Sequence, residues 1–350
     1  MRNGRRTPPP RRRGTSVTRA AVAFPARGSY GPRSLGSLPA AHPWVRRADQ
    51  LRADYDLPAL SVLDGADRFD PAIHLRSAHA SPLTFVCGLL DAERIAADHE
   101  VVVVIGSSGG WYTALAASGA LEFDDAFRLV QTMALLAEEP IVEEDRGGQL
   151  IYALTDEGWQ KDPARVDALD AILAREDGAV HRSLELGAFT VVSGTATGIT
   201  DVAAGLPQIE IGSRQFPFRA AMQEAWHTPL RATAAARAGE LLADLSWSAP
   251  NVTLIDGRGA RFTPWSADPA ELARQTINQQ PISTYDFALS LRVALREYAP
   301  EVILLPGPGA SLAEVCAQLI VAEGYRGNRT RAELEATQAG GTPILLSMRR

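Results

Sequence analysis

Val101-Val102-Val103-Val104-Ile105-Gly106-Ser107-Ser108-Gly109-Gly110, running on into Trp111-Tyr112-Thr113-Ala114-Leu115-Ala116-Ala117, is the stretch that decides the fold. Five consecutive β-branched residues describe a parallel strand buried on both faces, in the middle of a sheet. The residues after Gly110 form helix readily. Between the two lies G-x-S-x-G, and a strand-turn-helix setting is the context that makes this pattern a nucleophile elbow. The flanking glycines permit a tight turn that lifts the Ser108 hydroxyl above the sheet edge. The free N–H groups and positive dipole end of the helix lie beneath it. The amide of Gly109, the residue after the serine, is then placed to stabilise an oxyanion. The competing reading is a glycine-rich turn that binds phosphate or only packs. It lacks the G-x-G-x-x-G spacing, and no acid follows at the distance that grips a ribose.

Working outward, Ala20-Ala21-Val22-Ala23-Phe24 is a short buried strand that runs into a turn-rich loop, Pro25 to Pro32. Helices are expected over 43–55 and 81–97, the second with Leu83, Val86, Leu90 and Ile95 on one face. Residues 147–215 read as a separate small unit. Strands at 149–154, 180–186, 189–194 and 208–211 alternate with helices at 164–174 and 198–204, the pattern of a four-stranded split-βαβ sheet. Strands at 251–255 and 302–305, with helices at 269–275 and 283–298, return the chain to the first unit. The expected architecture is α/β: a large α/β-hydrolase-like subdomain (19–146 and 216–325) with a parallel sheet, and an inserted ferredoxin-like small subdomain (147–215). Residues 326–350 read as a peripheral C-terminal segment.

The chain has 350 residues, 46% of them hydrophobic and 22% charged. That composition suits one large domain or two smaller ones and excludes a disulfide mini-protein, a collagen-like fibre and a wholly disordered chain. Cys87 and Cys316, the two cysteines, leave little scope for a disulfide framework or a cysteine-based metal site, and no metal is expected. Of 35 basic residues only Lys161 is a lysine, and six arginines fall within the first thirteen residues. Residues 1–18 form an Arg/Pro-rich tail expected to be disordered. The net charge is −6, and without those six arginines the remainder carries −12. An acidic body argues against nucleic-acid binding, which needs a basic face to release counterions. No run approaches the ~18 apolar residues of a membrane span. A soluble, cytoplasmic protein is expected.

A serine hydroxyl is a poor nucleophile until a base takes its proton, and histidine is the usual base. The candidates are His42, His74, His79, His99, His181 and His227. His227 stands out by its place, after Trp226 and ahead of a helix-forming run. A hydrolase triad in the order serine, acid, histidine would draw its acid from Asp156, Asp162, Asp167, Asp170, Asp177 or Asp201, none in a diagnostic setting.

The run from Gly106 to Leu121 resembles the G-H-S-x-G-E-Y-x-A-L-x-x-A-G-x-L block of malonyl-CoA:acyl carrier protein transacylases, and residues 123–130 resemble the helix that follows it. Phe24-Pro25-Ala26-Arg27-Gly28-Ser29-Tyr30 resembles that family's oxyanion loop, Ala225-Trp226-His227 its histidine segment, Arg274-Gln275 its glutamine segment and Pro306-Gly307-Pro308-Gly309 its closing turn. The resemblance spans about residues 20–325. It implies a Ser108–His227 pair with no acid, backbone amides of Gly109 and Arg27 as oxyanion donors, and the backbone of Gln275 orienting the histidine. It also implies an acyl pocket at Met133 and Trp226. The reaction would carry an acyl group from acyl-CoA, as substrate, to an acyl carrier protein as partner, with no bound cofactor, no membrane and no nucleic acid.

Three positions depart from that pattern. Ser107 stands where the family commonly has histidine, and Arg27 replaces a glutamine. Met133 stands where malonyl-specific members place the arginine that grips the malonyl carboxylate. Methionine cannot clamp a carboxylate, and a buried charge left unpaired costs roughly 3–5 kcal/mol. Either the acyl group is neutral, or Arg27, with Arg128 and Arg231 behind it, substitutes. A serine esterase or thioesterase, and an interaction protein on a decayed transacylase fold, are the alternative readings.

Overall fold

A computed structural model describes residues 17–141, 145–221 and 224–349. The Arg/Pro-rich tail therefore lies, apart from Val17 and Thr18, outside the described residues. In chain order the strands are β1 (Arg19–Phe24), β2 (Glu100–Gly106), β3 (Gly148–Ala153), β4 (Val180–Glu185), β5 (Phe189–Gly194), β6 (Ile209–Ile211) and β7 (Arg214–Phe216). They continue with β8 (Phe218–Arg219), β9 (Leu254–Ile255), β10 (Arg261–Phe262), β11 (Tyr285–Asp286), β12 (Val302–Leu305) and β13 (Leu345–Ser347).

The valine-rich run becomes β2, and its last three residues, Val103, Val104 and Ile105, are fully buried. It sits inside a six-stranded sheet ordered β10-β9-β2-β1-β12-β13, parallel except where β10 turns back on β9. Helices cover the sheet, among them Ser77–Asp98, Gly110–Ala117 and Phe287–Val293. That burial on both faces is why β2 could dispense with polar alternation. Phe24 pairs in register with Gly106, so the loops after β1 and β2 leave the sheet side by side. In parallel sheets, function collects at these carboxyl ends.

The second sheet is ordered β11-β4-β5-β3-β8. β3, helix Pro163–Leu173, β4, β5, helix Ala196–Gly205 and β8 together follow the β-α-β-β-α-β course of a ferredoxin-like unit. The small sheet departs from expectation in its last strand. Residues 209–211 form β6, which pairs only with β7 in a separate hairpin turned at Gly212 (φ 61°). The fourth place goes to β8, beyond residue 215. A fifth strand, β11, comes back from the large unit to lie parallel to β4 and stitches the two sheets together.

Two further expectations are corrected. The strand expected over 251–255 contracts to β9: Leu254 and Ile255 pair with Val104 and Ile105 of β2, and Thr253 adds a carbonyl that accepts the Val104 amide at 2.9 Å. The C-terminal segment is not merely peripheral: β13 forms the sheet edge beside β12, and Arg349 lays its guanidinium fork on buried Asp91 at 2.9 and 3.0 Å. The short apolar run 344–346 has sheet to pair with only once the chain has folded back. Among the described residues, no helix is long and apolar enough to cross a membrane.

Candidate active site

The turn after β2 is closed by contact. A side chain at Gly106 would strike the main chain of Gly110, and one at Gly110 would strike the carbonyl of Phe24. With both glycines in place, the Ser107 amide bonds the Phe24 carbonyl at 2.9 Å, and Ser108 is held at φ 52°, in the left-handed region. Such a conformation costs a non-glycine residue on the order of 1–3 kcal/mol and persists only where its surroundings enforce it.

His227 shares that strain, at φ 59°. Its Nε2 lies 2.7 Å from Ser108 Oγ, and its Nδ1 lies 2.7 Å from the carbonyl oxygen of Gln280. A carbonyl only accepts, so Nδ1 carries the proton and Nε2 presents its lone pair to the serine hydroxyl. Burial pushes the imidazole down to about 4, against a smaller upward pull from the Gln280 carbonyl. The ring is therefore neutral at pH 7, the state able to take a proton from the hydroxyl it faces.

Both units hold this histidine. Ser183 of β4 donates to the Trp226 carbonyl at 2.8 Å, and the Thr228 hydroxyl donates to the Ala225 carbonyl at 2.8 Å. The ring of Tyr285, in β11, lies 5.6 Å from the imidazole, and its hydroxyl donates to the Gly106 carbonyl at 2.6 Å. The returning strand thus braces histidine and elbow together.

Gln275 does not contact His227, which corrects the expectation drawn from Arg274-Gln275. Helix Pro269–Arg274 continues through a wider π turn, Gln275–Gln279, in which the Gln275 carbonyl accepts the Gln280 amide. That leaves the Gln280 carbonyl, one turn later, to meet the imidazole. The Gln280 side chain donates to the Ser108 carbonyl at 2.9 Å, so one residue grips both partners. Sequence reading chose the wrong glutamine because a π turn moves the carbonyl five residues along, and periodicity carries no sign of it.

Ser108 and His227 open into a cleft of about 430 Å³ between the two units, and Gly109, Arg27, Met133 and Trp226 all line it. One wall is a face of helix Phe123–Ala137 carrying Val130, Met133, Ala134 and Ala137; the opposite wall brings Ile151, Leu184 and Val191 from the small sheet. Of the three arginines considered as clamps, Arg27 lines the cleft but already has a carboxylate partner, and the other two are engaged elsewhere. Arg27 is ion-paired with Glu224, both nearly buried, and Ser77 also donates to that carboxylate. Arg231 is fully buried, donates to the carbonyls of Glu139 and Arg146 at 2.8 Å, and lies 5.6 Å over the Trp226 ring. Arg128 turns outward to Asp244 at 2.9 Å. Glu224, Gln280, Ser183 and Tyr285 carry no motif signal; only the fold brings them to the site.

A parallel α/β sheet with a strained serine after a central strand, facing an imidazole across an inserted ferredoxin-like unit, defines the class of two-unit, elbow-bearing α/β proteins. No protein-family model matches the sequence, and no curated protein matches it. Solved structures match by fold. A malonyl-CoA:acyl carrier protein transacylase from Xanthomonas oryzae superposes with a TM-score of 0.70 at 22% identity, over 87% of this chain and 92% of that one. An acyl-carrier-protein S-malonyltransferase from Burkholderia pseudomallei gives 0.70 at 20% identity over 94% and 95%. A malonyl-transacylase solved in complex with a type II polyketide synthase acyl carrier protein gives 0.70 at 17% identity over 95% and 96%. The chain has the fold of the malonyl-CoA:acyl carrier protein transacylases.

Proposed function

We propose that the protein is an acyltransferase that carries a neutral acyl group from an acyl-CoA thioester, through an acyl-Ser108 intermediate, to the phosphopantetheine thiol of an acyl carrier protein. The observation that carries this reading is the pair of 2.7 Å contacts joining Ser108 Oγ, His227 and the Gln280 carbonyl. His227 Nε2 takes the Ser108 proton as Oγ bonds to the thioester carbonyl carbon, and the backbone amides of Gly109 and Arg27 stabilise the oxyanion. The C–S bond then breaks, the imidazolium returns its proton to the departing CoA thiolate, and an acyl ester remains on Ser108. In the second half-reaction the carrier thiol gives its proton to His227 and attacks the ester, releasing the serine. No acid is needed, because a carbonyl rather than a carboxylate orients the imidazole. This favours the dyad reading over a serine hydrolase triad.

The neutral acyl group follows from the walls. Met133 offers no charge, Arg27 is matched by Glu224, and Arg231 and Arg128 point elsewhere. A malonyl carboxylate entering this cleft would lose its hydration and meet, in Arg27, a cation already matched by Glu224. Intact-mass spectrometry after incubation with acetyl-, hexanoyl- and malonyl-CoA tests the reading. An adduct of acetyl or hexanoyl mass on wild type, absent from Ser108→Ala and discharged by a carrier thiol, is the expected result. An adduct persisting on Ser108→Ala would sink the mechanism, discharge to water alone would make the protein a thioesterase, and preferential malonylation would refute the pocket argument.

A further inference from the structure

Glu224 stands just behind the wall of the catalytic cleft. Ala220, Ala221, Trp226 and His227, before and after it in the chain, line the cleft. Glu224 itself lines a smaller cavity of about 290 Å³, which shares Gln149 and Ala220 with the cleft. From the cleft side Arg27 reaches this carboxylate as an ion pair, and the two side chains are only 10% and 8% exposed, so solvent screens the pair little. Ser77, the first residue of helix Ser77–Asp98, donates to the same carboxylate, 3.1 and 3.2 Å from its two oxygens. A second cation is close by. Burial pushes the Arg231 guanidinium down to about 10, while Glu224 pulls it up and Arg27 presses it down further. One carboxylate of the protein therefore sits in the field of two arginines at the edge of the cleft.

This is the arrangement a carboxylate site needs, with the carboxylate supplied by the chain itself. The fork of an arginine matches a carboxylate, and hydrogen bonds between two ionised groups are among the stronger contacts. An acyl group that brings its own carboxylate meets a guanidinium whose charge is already balanced, and two carboxylates sharing one site repel each other. Discrimination can rest on such a charge set against the unwanted ligand as much as on contacts to the wanted one. A neutral acyl group meets no such cost. The cation missing at position 133 thus has a counterpart in the cleft wall, but one committed to Glu224.

We propose that Glu224 determines acyl specificity by occupying, with its own carboxylate, the anion place on Arg27; on the acyl-transfer reading above, removing that charge turns the cleft towards carboxylated acyl groups such as malonyl. The test compares kcat/KM for acylation of Ser108 by hexanoyl-CoA and by malonyl-CoA in wild type, Glu224→Gln and Glu224→Gln/Arg27→Met. The malonyl-to-hexanoyl ratio is expected to rise about a hundredfold in Glu224→Gln, the factor a recovered contact to a charged group supplies, and to fall back in the double variant. A purely structural role lowers both rates together and leaves the ratio where it was. A ratio unmoved in Glu224→Gln, or a gain that survives in the double variant, would overturn the assignment. Binding is read separately, because a buried arginine deprived of its carboxylate weakens the fold. Sodium malonate is expected to raise the melting temperature of Glu224→Gln, or to restore its cooperative transition if that is lost, beyond any shift in wild type or the double variant. An equal shift in all three proteins would overturn the anion place. If no thioester acylates Ser108 in any of them, the transfer reading falls and the malonate shifts alone decide the role of Glu224.

Discussion

The neutrality of His227 can be measured without a substrate. A buried imidazole that resists protonation makes the folded state bind fewer protons than the unfolded chain, so stability must fall as pH drops below the ordinary histidine value. The folded value of about 4 against 6.5 sets the window. The contribution is fully present above pH 6.5 and is lost progressively as pH falls towards 4. At pH 5 the loss is about 2 kcal/mol, and near pH 4 and below it approaches about 3 kcal/mol. Other groups titrate over the same range, so the quantity to follow is the difference between wild type and His227→Gln, which cancels distant groups. Urea unfolding at pH 7.5 and pH 5, monitored by circular dichroism, should show wild type losing about 2 kcal/mol more than the variant across that interval. On the transfer reading, kcat/KM for acylation should likewise hold its plateau below pH 6 and fall only near 4. Equal pH slopes for the two proteins, or an acid limb at 6.5, would refute a neutral, desolvated base.

Three further substitutions probe the frame. Gly110→Ala drives a methyl into the Phe24 carbonyl; the fold should lose on the order of 3 kcal/mol or more, read as a lower urea midpoint, with acylation of Ser108 falling alongside. Gln280→Ala keeps the main-chain bond to His227 and removes the side-chain bond to the Ser108 carbonyl; a stability loss of about 1 kcal/mol is expected, with kcat reduced and KM little changed. Asp91→Ala leaves the Arg349 guanidinium without its carboxylate and the Gly307 amide without its acceptor; thermal unfolding should reveal a loss of roughly 3 kcal/mol, and a wild-type melting curve would contradict the assigned role of the C-terminal strand.

The elbow was legible because its information is local. Five β-branched residues, a pair of obligatory glycines and a helix former occupy adjacent positions, and each demands the same strand-turn-helix. The strands of the small sheet announced themselves in the same way, apart from β8 and β11, whose two residues each are too short to carry a period; β11 lies inside 283–298, the stretch expected to be helix, which begins only at Phe287. His227 was the candidate that resemblance selected, and the chain brings it within 2.7 Å of Ser108 across 119 positions. The orienting carbonyl was not legible: an i→i+5 turn is a backbone event without a residue signature.

Alone, the sequence determined the class of fold and the strand-turn-helix around Ser108, since these follow from residue type and short-range spacing; that an uncharged Met133 matters came only from the resemblance. Tertiary structure alone decided that Glu224 matches Arg27, that Arg231 is held by backbone carbonyls, and that Gln280 rather than Gln275 meets the imidazole. It also decided that the C-terminus completes the large sheet. Each of these depends on which distant groups share a desolvated space, where a charge is kept only beside its opposite and a carbonyl bonds whichever N–H the fold brings to it.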